Sequence, residues 1–295
     1  MISKEQTNSI VTTIGKLSEE SSFREVYHSY LEGETIPSGK VLGEIVEICR
    51  SVLFPGFYGH PTINALTINY QIGVQVERLF DLLSKQIFSG LCFMDTSKEH
   101  SSEEHREKAL SLTTLFIEQL PEIRKILITD VKASYLGDPA AVSFGEVIFC
   151  YPCIRAIGNY RIAHALYQLG VPLIPRMITE MGHRETGIDI HPAATIGEYF
   201  SIDHGTGVVI GATSIVGNHV SLYQGVTLGA KNFPLDENGQ PIKGIPRHPI
   251  VQDNVVIYSN ATILGRITIG EGSVIGGNVW VTEDVPPHAH ITQRR

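Results

Sequence analysis

The chain has 295 residues, 42% hydrophobic and 18% charged, enough apolar mass to bury a core and enough length for two domains. Twenty-three basic against 31 acidic side chains leave a formal charge of −8, which argues against a nucleic-acid binder because phosphates call for a basic surface. No run of 18 apolar residues is present, the opening MISKEQTNSI has no apolar leader core and four cysteines make no disulfide framework, so a cytoplasmic protein without a membrane span is expected.

Residues 1–35 are polar and are expected to be partly mobile. Val41, Leu42, Ile45, Val46, Ile48, Cys49, Val52 and Leu53 recur at helical spacing and stop at Pro55-Gly56. A longer helix follows, with Ile68, Ile72, Val76, Leu79, Phe80, Leu83 and Ile87 on one face, expected to end at Gly90. Asp95 to Lys108 reads as a polar loop leading into a helix that carries Leu112, Leu115, Phe116 and Leu120. Pro121 is expected to open a separate helix running toward Tyr135. Cys150-Tyr151-Pro152-Cys153 has the spacing of a redox dithiol or of half a zinc site. Zinc needs a second ligand pair, Cys49 and Cys92 are isolated, and no strand–helix alternation surrounds the motif. Two plain thiols near a helix start are the expectation. Helices over 154–169 and 172–181 close this half, and the helical domain is taken as 1–186.

From residue 188 the period changes to six. Ile190, Ile196, Ile202 and Val208 form one register; Ile210, Val216, Leu222 and Leu228 form a second; Val251, Ile257, Ile263, Ile269, Ile275 and Val281 form a third. All fourteen positions are aliphatic. Glycine follows directly at Gly197, Gly211, Gly217, Gly229, Gly270 and Gly276. A helical stripe repeats at 3.6 residues, and alternating strands give no reason for glycine at every third alternation. A hexapeptide solenoid does: three short strands close one prism-shaped coil, aliphatics stack inward 18 residues apart, and glycine supplies permissive dihedrals at corners. This second domain is taken as 187–295, with an extended loop over 229–250.

The ordered segments Gly137-Asp138-Pro139-Ala140, Tyr151-Pro152, Tyr160-Arg161-Ile162-Ala163-His164, Asp189-Ile190-His191-Pro192, Asp203-His204-Gly205-Thr206-Gly207, Val226-Thr227-Leu228-Gly229 and Arg247-His248-Pro249 resemble the blocks of the serine acetyltransferases, within the hexapeptide acyltransferase superfamily. The resemblance covers roughly 120–288. It implies an α+β fold, helical N-terminal domain followed by a left-handed parallel β-helix, and transfer of acetyl from acetyl-CoA to the hydroxyl of L-serine for cysteine biosynthesis. Tyr258-Ser259-Asn260-Ala261 departs from the Gly-Ala-Gly-Ala-like turn usual in the family, and the 229–250 loop is longer than in many members.

An alcohol needs a base as it attacks a thioester. His204 is the candidate, since imidazole titrates near pH ~6.5. Asp189, fifteen residues earlier, is the candidate to orient it across neighbouring coils, and the resemblance implies the same pair. The amino-acid substrate carries two charges. Arg247 suits the carboxylate; Asp138 and Asp203 suit the ammonium and the hydroxyl, although Asp138 before Pro139 also fits a helix cap. His248 completes the site or stabilises the oxyanion, and His191 reads as structural. The resemblance implies a pantetheine arm near Ala230, Ser259 and Gly277, with no metal. It also implies a homotrimer or dimer of trimers with active sites shared between subunits, and L-cysteine as inhibitor. Three rivals stand beside this reading: another hexapeptide acyltransferase, a non-catalytic scaffold, and a zinc enzyme using His204, His219 and His248. The repeat is expected to end near Val285. The resemblance also implies that many family members dock an apolar C-terminal end group into the sulfhydrylase that uses their product; the last residues here, Thr292-Gln293-Arg294-Arg295, put charge in that place, so no cysteine synthase complex is expected through them.

Overall fold

The structure, a computed structural model, describes residues 2–24, 35–59, 66–95, 101–232 and 234–293. It divides into two units, Met1–Thr35 and Ile36–Arg295. In the first, α1 (Lys4–Leu17) is opened by a reciprocal cap in which Gln6 N–H donates to Ser3 Oγ at 3.1 Å and Ser3 N–H donates to Gln6 Oε1 at 2.7 Å. The short α2 (Glu20–Phe23) follows. The described part of this polar arm is mostly helical, and residues 25–34 lie outside the described residues.

The second unit begins with α3 (Gly39–Leu53), capped by Ser38, and α4 (Ile68–Met94). The α4 helix passes Gly90, where an end is expected, because Leu91 and Cys92 are buried and prolong its apolar face. Next comes α5 (Ser102–Gly137), a single 36-residue helix where two are expected. Its start is fixed by a Ser101–Glu104 capping box inside the segment read as a loop; residues 96–100 of that segment lie outside the described residues. Pro121 lies within α5 rather than opening a new helix. Proline removes one N–H from the ladder, yet Phe116, Leu120, Ile123 and Leu127 stay on one buried stripe across it, and burying each such side chain contributes about 1.5–3 kcal/mol. The sequence reading omitted α6 (Phe144–Cys150), capped by Ser143, and α7 (Pro152–Gln168) and α8 (Ile174–Thr186) complete the helices. Cys150 is exposed and Cys153 buried, all four cysteines are free thiols, and burial pushes Cys153 up to about 12. That is the opposite of a reactive dithiol. None of the described helices is long and apolar enough to cross a membrane.

The chain then winds into a prism. The first coil holds β1 (Asp189–Ile190), β2 (Thr195–Ile196) and β3 (Ser201–Asp203); the second β4 (Val209–Ile210), β5 (Ile215–Val216) and β6 (Ser221–Tyr223). The third holds β7 (Thr227–Gly229), β8 (Ile250–Val251) and β9 (Val256–Ile257), and the fourth β10 (Thr262–Leu264), β11 (Thr268–Ile269) and β12 (Val274–Ile275). The last holds β13 (Trp280–Val281) and β14 (His290–Ile291), so the stack runs past Val285. Parallel pairing gives three sheets, β1-β4-β7-β10-β13, β11-β8-β5-β2 and β14-β12-β9-β6-β3. All fourteen aliphatic positions are buried.

Two details differ from the expected repeat. Asp189 pairs with Val209 and Ser201 with Ser221, a step of 20, before the step becomes 18 at Val209–Thr227. The two extra residues widen the turn Asp203–Val208, where Gly205 and Gly207 both have positive φ. The glycines that follow the aliphatics serve close approach rather than unusual dihedrals: none of the six has positive φ. A Cβ on Gly197 would stand 2.7 Å from the Gly217 carbonyl oxygen of the next coil. The left-handed residue comes two positions later, as at Tyr199, His219 and Asn278.

A buried ion pair fastens the helices to this prism. Asp130 on α5 accepts from Arg161 Nε and Nη2 on α7, both at 3.1 Å, and from the Phe200 N–H. The same guanidinium donates to the Ile196 and Gly197 carbonyls at 2.6 Å.

Candidate active site

Two corners of the prism collect the candidate residues. At the corner leading from the third sheet into the first, His204 follows β3 with φ +57°, a left-handed conformation that aims its side chain outward, 73% exposed. Its Nε2 lies 3.8 Å from Asp203 Oδ2. Opposite, Asp138 caps the C-terminus of α5. Its Oδ1 accepts from the Ala140 N–H at 2.8 Å, and its Oδ2 accepts from the Tyr151 hydroxyl. These hydrogen bonds hold the Asp138 carboxyl below its ordinary range, helped by the field of His204. The capping reading of Asp138 and its place in the site are thus compatible. Asp138, Tyr151, Asp203 and Tyr223 line a cavity of about 30 Å³ here. Two and three coils further along the same corner are Ser259 and Gly277, tied by the Asn278 N–H to the Ser259 carbonyl at 2.9 Å.

At the corner leading from the first sheet into the second stand Ala230, Arg247 and His248. The His248 ring lies in the space that a side chain on Gly211 would fill. Its Nδ1 accepts from the Thr213 N–H at 3.1 Å and lies 2.8 Å from Thr213 Oγ1. A backbone N–H can only donate, so Nδ1 is unprotonated and the neutral ring carries its proton on Nε2. Burial, then Arg247 and Arg266, push His248 down to about 4, so the ring is neutral near pH 7. Thr213 Oγ1 also accepts from the Arg247 and His248 N–H groups at 2.9 and 3.1 Å. Arg266 clamps the pair from above, donating to the Thr213 and His248 carbonyls at 2.6 and 3.0 Å. The sequence reading missed Thr213 and Arg266. Thr213 sits two residues beyond a corner glycine, but nothing local announces that a loop returns onto it.

Asp189 opens β1, and the Gly207 N–H donates to the Gly187 carbonyl at 2.8 Å just before it, so Asp189 and His204 share one corner. No hydrogen bond joins them. Asp189 Oδ1 instead lies 3.9 Å from Arg176 Nη1, and Arg176 also pairs with Glu180. Glu180, His183 and Asp189 each offer a ligand atom within 4.8 Å of the others, but Arg176 already supplies that cluster with a cation. His191 Nδ1 accepts from the Ala193 N–H at 3.1 Å, a turn-stabilising role. His219 stacks on Tyr199 at 4.5 Å, at the third corner, so His204, His219 and His248 occupy three different corners and do not form a zinc site.

Comparisons with known proteins agree with this architecture. The family model described as "Bacterial transferase hexapeptide (six repeats)" matches residues 248–283. "Serine acetyltransferase, plasmid" of Synechococcus elongatus is 51% identical over 261 residues, covering 88% of this chain and 82% of that one. The serine acetyltransferase of Mycobacterium tuberculosis is 48% identical over 162 residues, covering 55% of this chain and 67% of its own. Among solved structures, Entamoeba histolytica serine acetyltransferase 1 in complex with L-cysteine superposes with a TM-score of 0.74 at 34% identity, covering 94% of both chains. Soybean serine acetyltransferase complexed with serine gives 0.54 at 30% identity, covering 85% of this chain and 94% of its own. The chain belongs to the serine acetyltransferases, acyltransferases that pair a helical N-terminal region with a left-handed hexapeptide β-helix.

Proposed function

We propose that this chain transfers the acetyl group of acetyl-CoA to the side-chain oxygen of L-serine, giving O-acetylserine and CoA. The observation that carries the reading is the corner where His204, Asp203 and Asp138 come together, a base and two acids at one edge of the prism. The family resemblance places the pantetheine arm along the same corner near Ser259 and Gly277, where the coils pack closely enough that a Cβ on Gly277 would come within 3.1 Å of the Ser259 carbonyl oxygen. His204 takes the hydroxyl proton as the serine oxygen attacks the thioester carbonyl carbon. The oxyanion accepts a hydrogen bond from His248 Nε2–H. Collapse breaks the carbon–sulfur bond, and the departing thiolate takes the proton back from His204. Base catalysis of this kind is worth ~10²–10⁴-fold, about 3–5 kcal/mol. Asp189, steadied by Arg176, is the acid that stabilises the His204 imidazolium.

Arg247 takes the serine carboxylate with its fork of donors. The His204 and Arg247–His248 corners bound opposite edges of the first sheet, which supports a site completed by the matching corner of a neighbouring copy in a trimer or dimer of trimers. L-Cysteine, with the same zwitterion, then competes with serine. The test is thiol release from acetyl-CoA against L-serine, homoserine, threonine and amino sugars. Fast release with serine is expected; release with homoserine or a sugar but not with serine overturns the reading.

A further inference from the structure

His191 has two ring nitrogens, and its turn uses only one of them. Nδ1 accepts from the Ala193 N–H at 3.1 Å, so the neutral ring carries its proton on Nε2. His248 is fixed in the same way by the Thr213 N–H, and both histidines precede a proline, Pro192 and Pro249. Among the described residues neither Nε2–H meets an acceptor. Bonding at Nδ1 thus leaves two donors of one kind free for a bound molecule.

The prism sets these donors side by side. Ile190 pairs with Ile210, and the His191 N–H donates to the Ile210 carbonyl at 3.0 Å, so His191 and Gly211 come next in register. Ile190 and Ile210 are buried in the prism, which turns His191 and the bare Gly211 outward. His248 fills the place of the missing side chain: its Nε2 stands 2.2 Å from where a Cβ on Gly211 would be. That place is one strand spacing, about 4.8 Å, from the His191 Cβ. The two imidazoles are therefore neighbours in one outward row. Electrostatics agree: burial, then the fields of Arg176, His248 and Arg247, hold His191 at about 4, and burial, then Arg247 and Arg266, hold His248 at about 4. Neither ring takes a second proton near pH 7. Each presents a neutral N–H that polarises a bound oxygen without surrendering its proton.

We propose that His191 Nε2–H is the second donor of the oxyanion site, beside His248 Nε2–H, and that the two imidazoles grip one oxygen together. The proposal rests on the acyl-transfer reading above and deepens it. As the serine oxygen bonds to the thioester carbon, the carbonyl π pair moves onto oxygen, and both N–H groups donate to that charge. When the pair returns and the carbon–sulfur bond breaks, both donors are left as they began, because neither transfers its proton. His191 is then a catalytic residue as well as a turn residue, with one nitrogen for each task.

Steady-state thiol release by the full-length oligomer, with L-serine and acetyl-CoA each varied, separates the two nitrogens. His191→Asn keeps an acceptor for the Ala193 N–H, as asparagine does in such turns, but ends one bond short of the Nε2 position. It is expected to lower kcat about 10²-fold, the usual loss for one oxyanion donor, with both KM values within about threefold of wild type. His191→Gln gives up the turn bond and carries an amide N–H out to the Nε2 position, so its kcat is expected within about tenfold of wild type. Circular dichroism checks folding, and His191→Ser, whose hydroxyl makes the same turn bond, repeats the deletion if the asparagine variant does not fold. A purely turn-making His191 reverses the order, with asparagine near wild type and glutamine impaired, and overturns the proposal. Equal losses in the asparagine and glutamine variants overturn it too, as does a raised KM for serine at unchanged kcat, which marks a contact to the bound carboxylate. A wild-type enzyme that releases no thiol with serine would instead sink the acyl-transfer reading beneath it.

Discussion

Thr213→Val keeps the shape of the side chain and deletes one hydroxyl. In the folded chain that hydroxyl accepts from the Arg247 and His248 N–H groups and faces His248 Nδ1 at 2.8 Å. Two backbone donors lose their acceptor. Thr213 is half-buried, so water relieves part of the penalty and each stranded donor costs about 1 kcal/mol, the low end of the usual range. Together that is about 2 kcal/mol of positioning energy, equivalent to roughly 30-fold in rate at 1.4 kcal/mol per decade. The Thr213 N–H still donates to Nδ1, so the ring keeps its tautomer and loses aim rather than chemistry. Initial rates of thiol release should therefore give kcat/KM for serine about 30-fold below wild type, with Thr213→Ser within threefold of it and far-ultraviolet circular dichroism unchanged. Thr213→Val retaining more than a third of wild-type kcat/KM, or Thr213→Ser as damaged as Thr213→Val, would refute the argument that this hydroxyl aims Arg247 and His248.

His204→Asn is expected to leave a folded oligomer and lower kcat by at least ~10²-fold; Asp189→Asn should act in the same direction but not multiply with it, and a double variant showing the full product of the single losses would separate the two residues. Asp130→Asn leaves Arg161 buried without its counter-charge, so chemical denaturation should record a loss of about 3–5 kcal/mol; a loss under about 1 kcal/mol would contradict the clasp. His191 and His248 are both held near 4 in the folded chain, chiefly by burial, against an ordinary value of ~6.5. Between those limits the unfolded chain binds protons that the folded chain refuses, so stability should fall as pH drops from about 6.5 toward 4. His191→Asn should flatten that slope in thermal melts at fixed buffer strength, and an unaltered slope would clear His191 of the effect.

The prism was legible because its core is one-dimensional: Ile257, Ile263, Ile269 and Ile275 each face the same axis, so period alone marks burial. Period does not report why a residue is chosen. Gly217 looks like a turn glycine in sequence, yet its φ is ordinary and its need is for space against Asp253 of the next coil. The break in register at Val208 and Ile210 was visible, but its meaning, a wider turn under His204, depends on pairing with a strand 20 residues away. Among the helices, the stripe through Leu120 and Ile123 outweighed the local signal of Pro121. At the site, sequence blocks pointed to His204, Asp138 and His248, but not to Thr213, whose role depends on a loop that leaves the stack at Gly229 and returns at Arg247. The same holds for Arg176, which meets Asp189 from a different element.

That returning loop has a wider meaning for how this chain tolerates change. Val216 on β5 pairs with Val251 on β8 as if nothing intervened, and Thr227 on β7 pairs with Thr262 on β10. Each coil reads only the coils above and below it, so chain inserted at a corner is invisible to the register of every strand. Corners are therefore places where length varies at little thermodynamic expense, since loop closure grows only with the logarithm of length, while a single residue added inside a two-residue strand would turn Val251 outward. The 229–250 excursion marks where lineages can lengthen, trim or exchange sequence, and where a foreign peptide grafted by design would leave the prism intact.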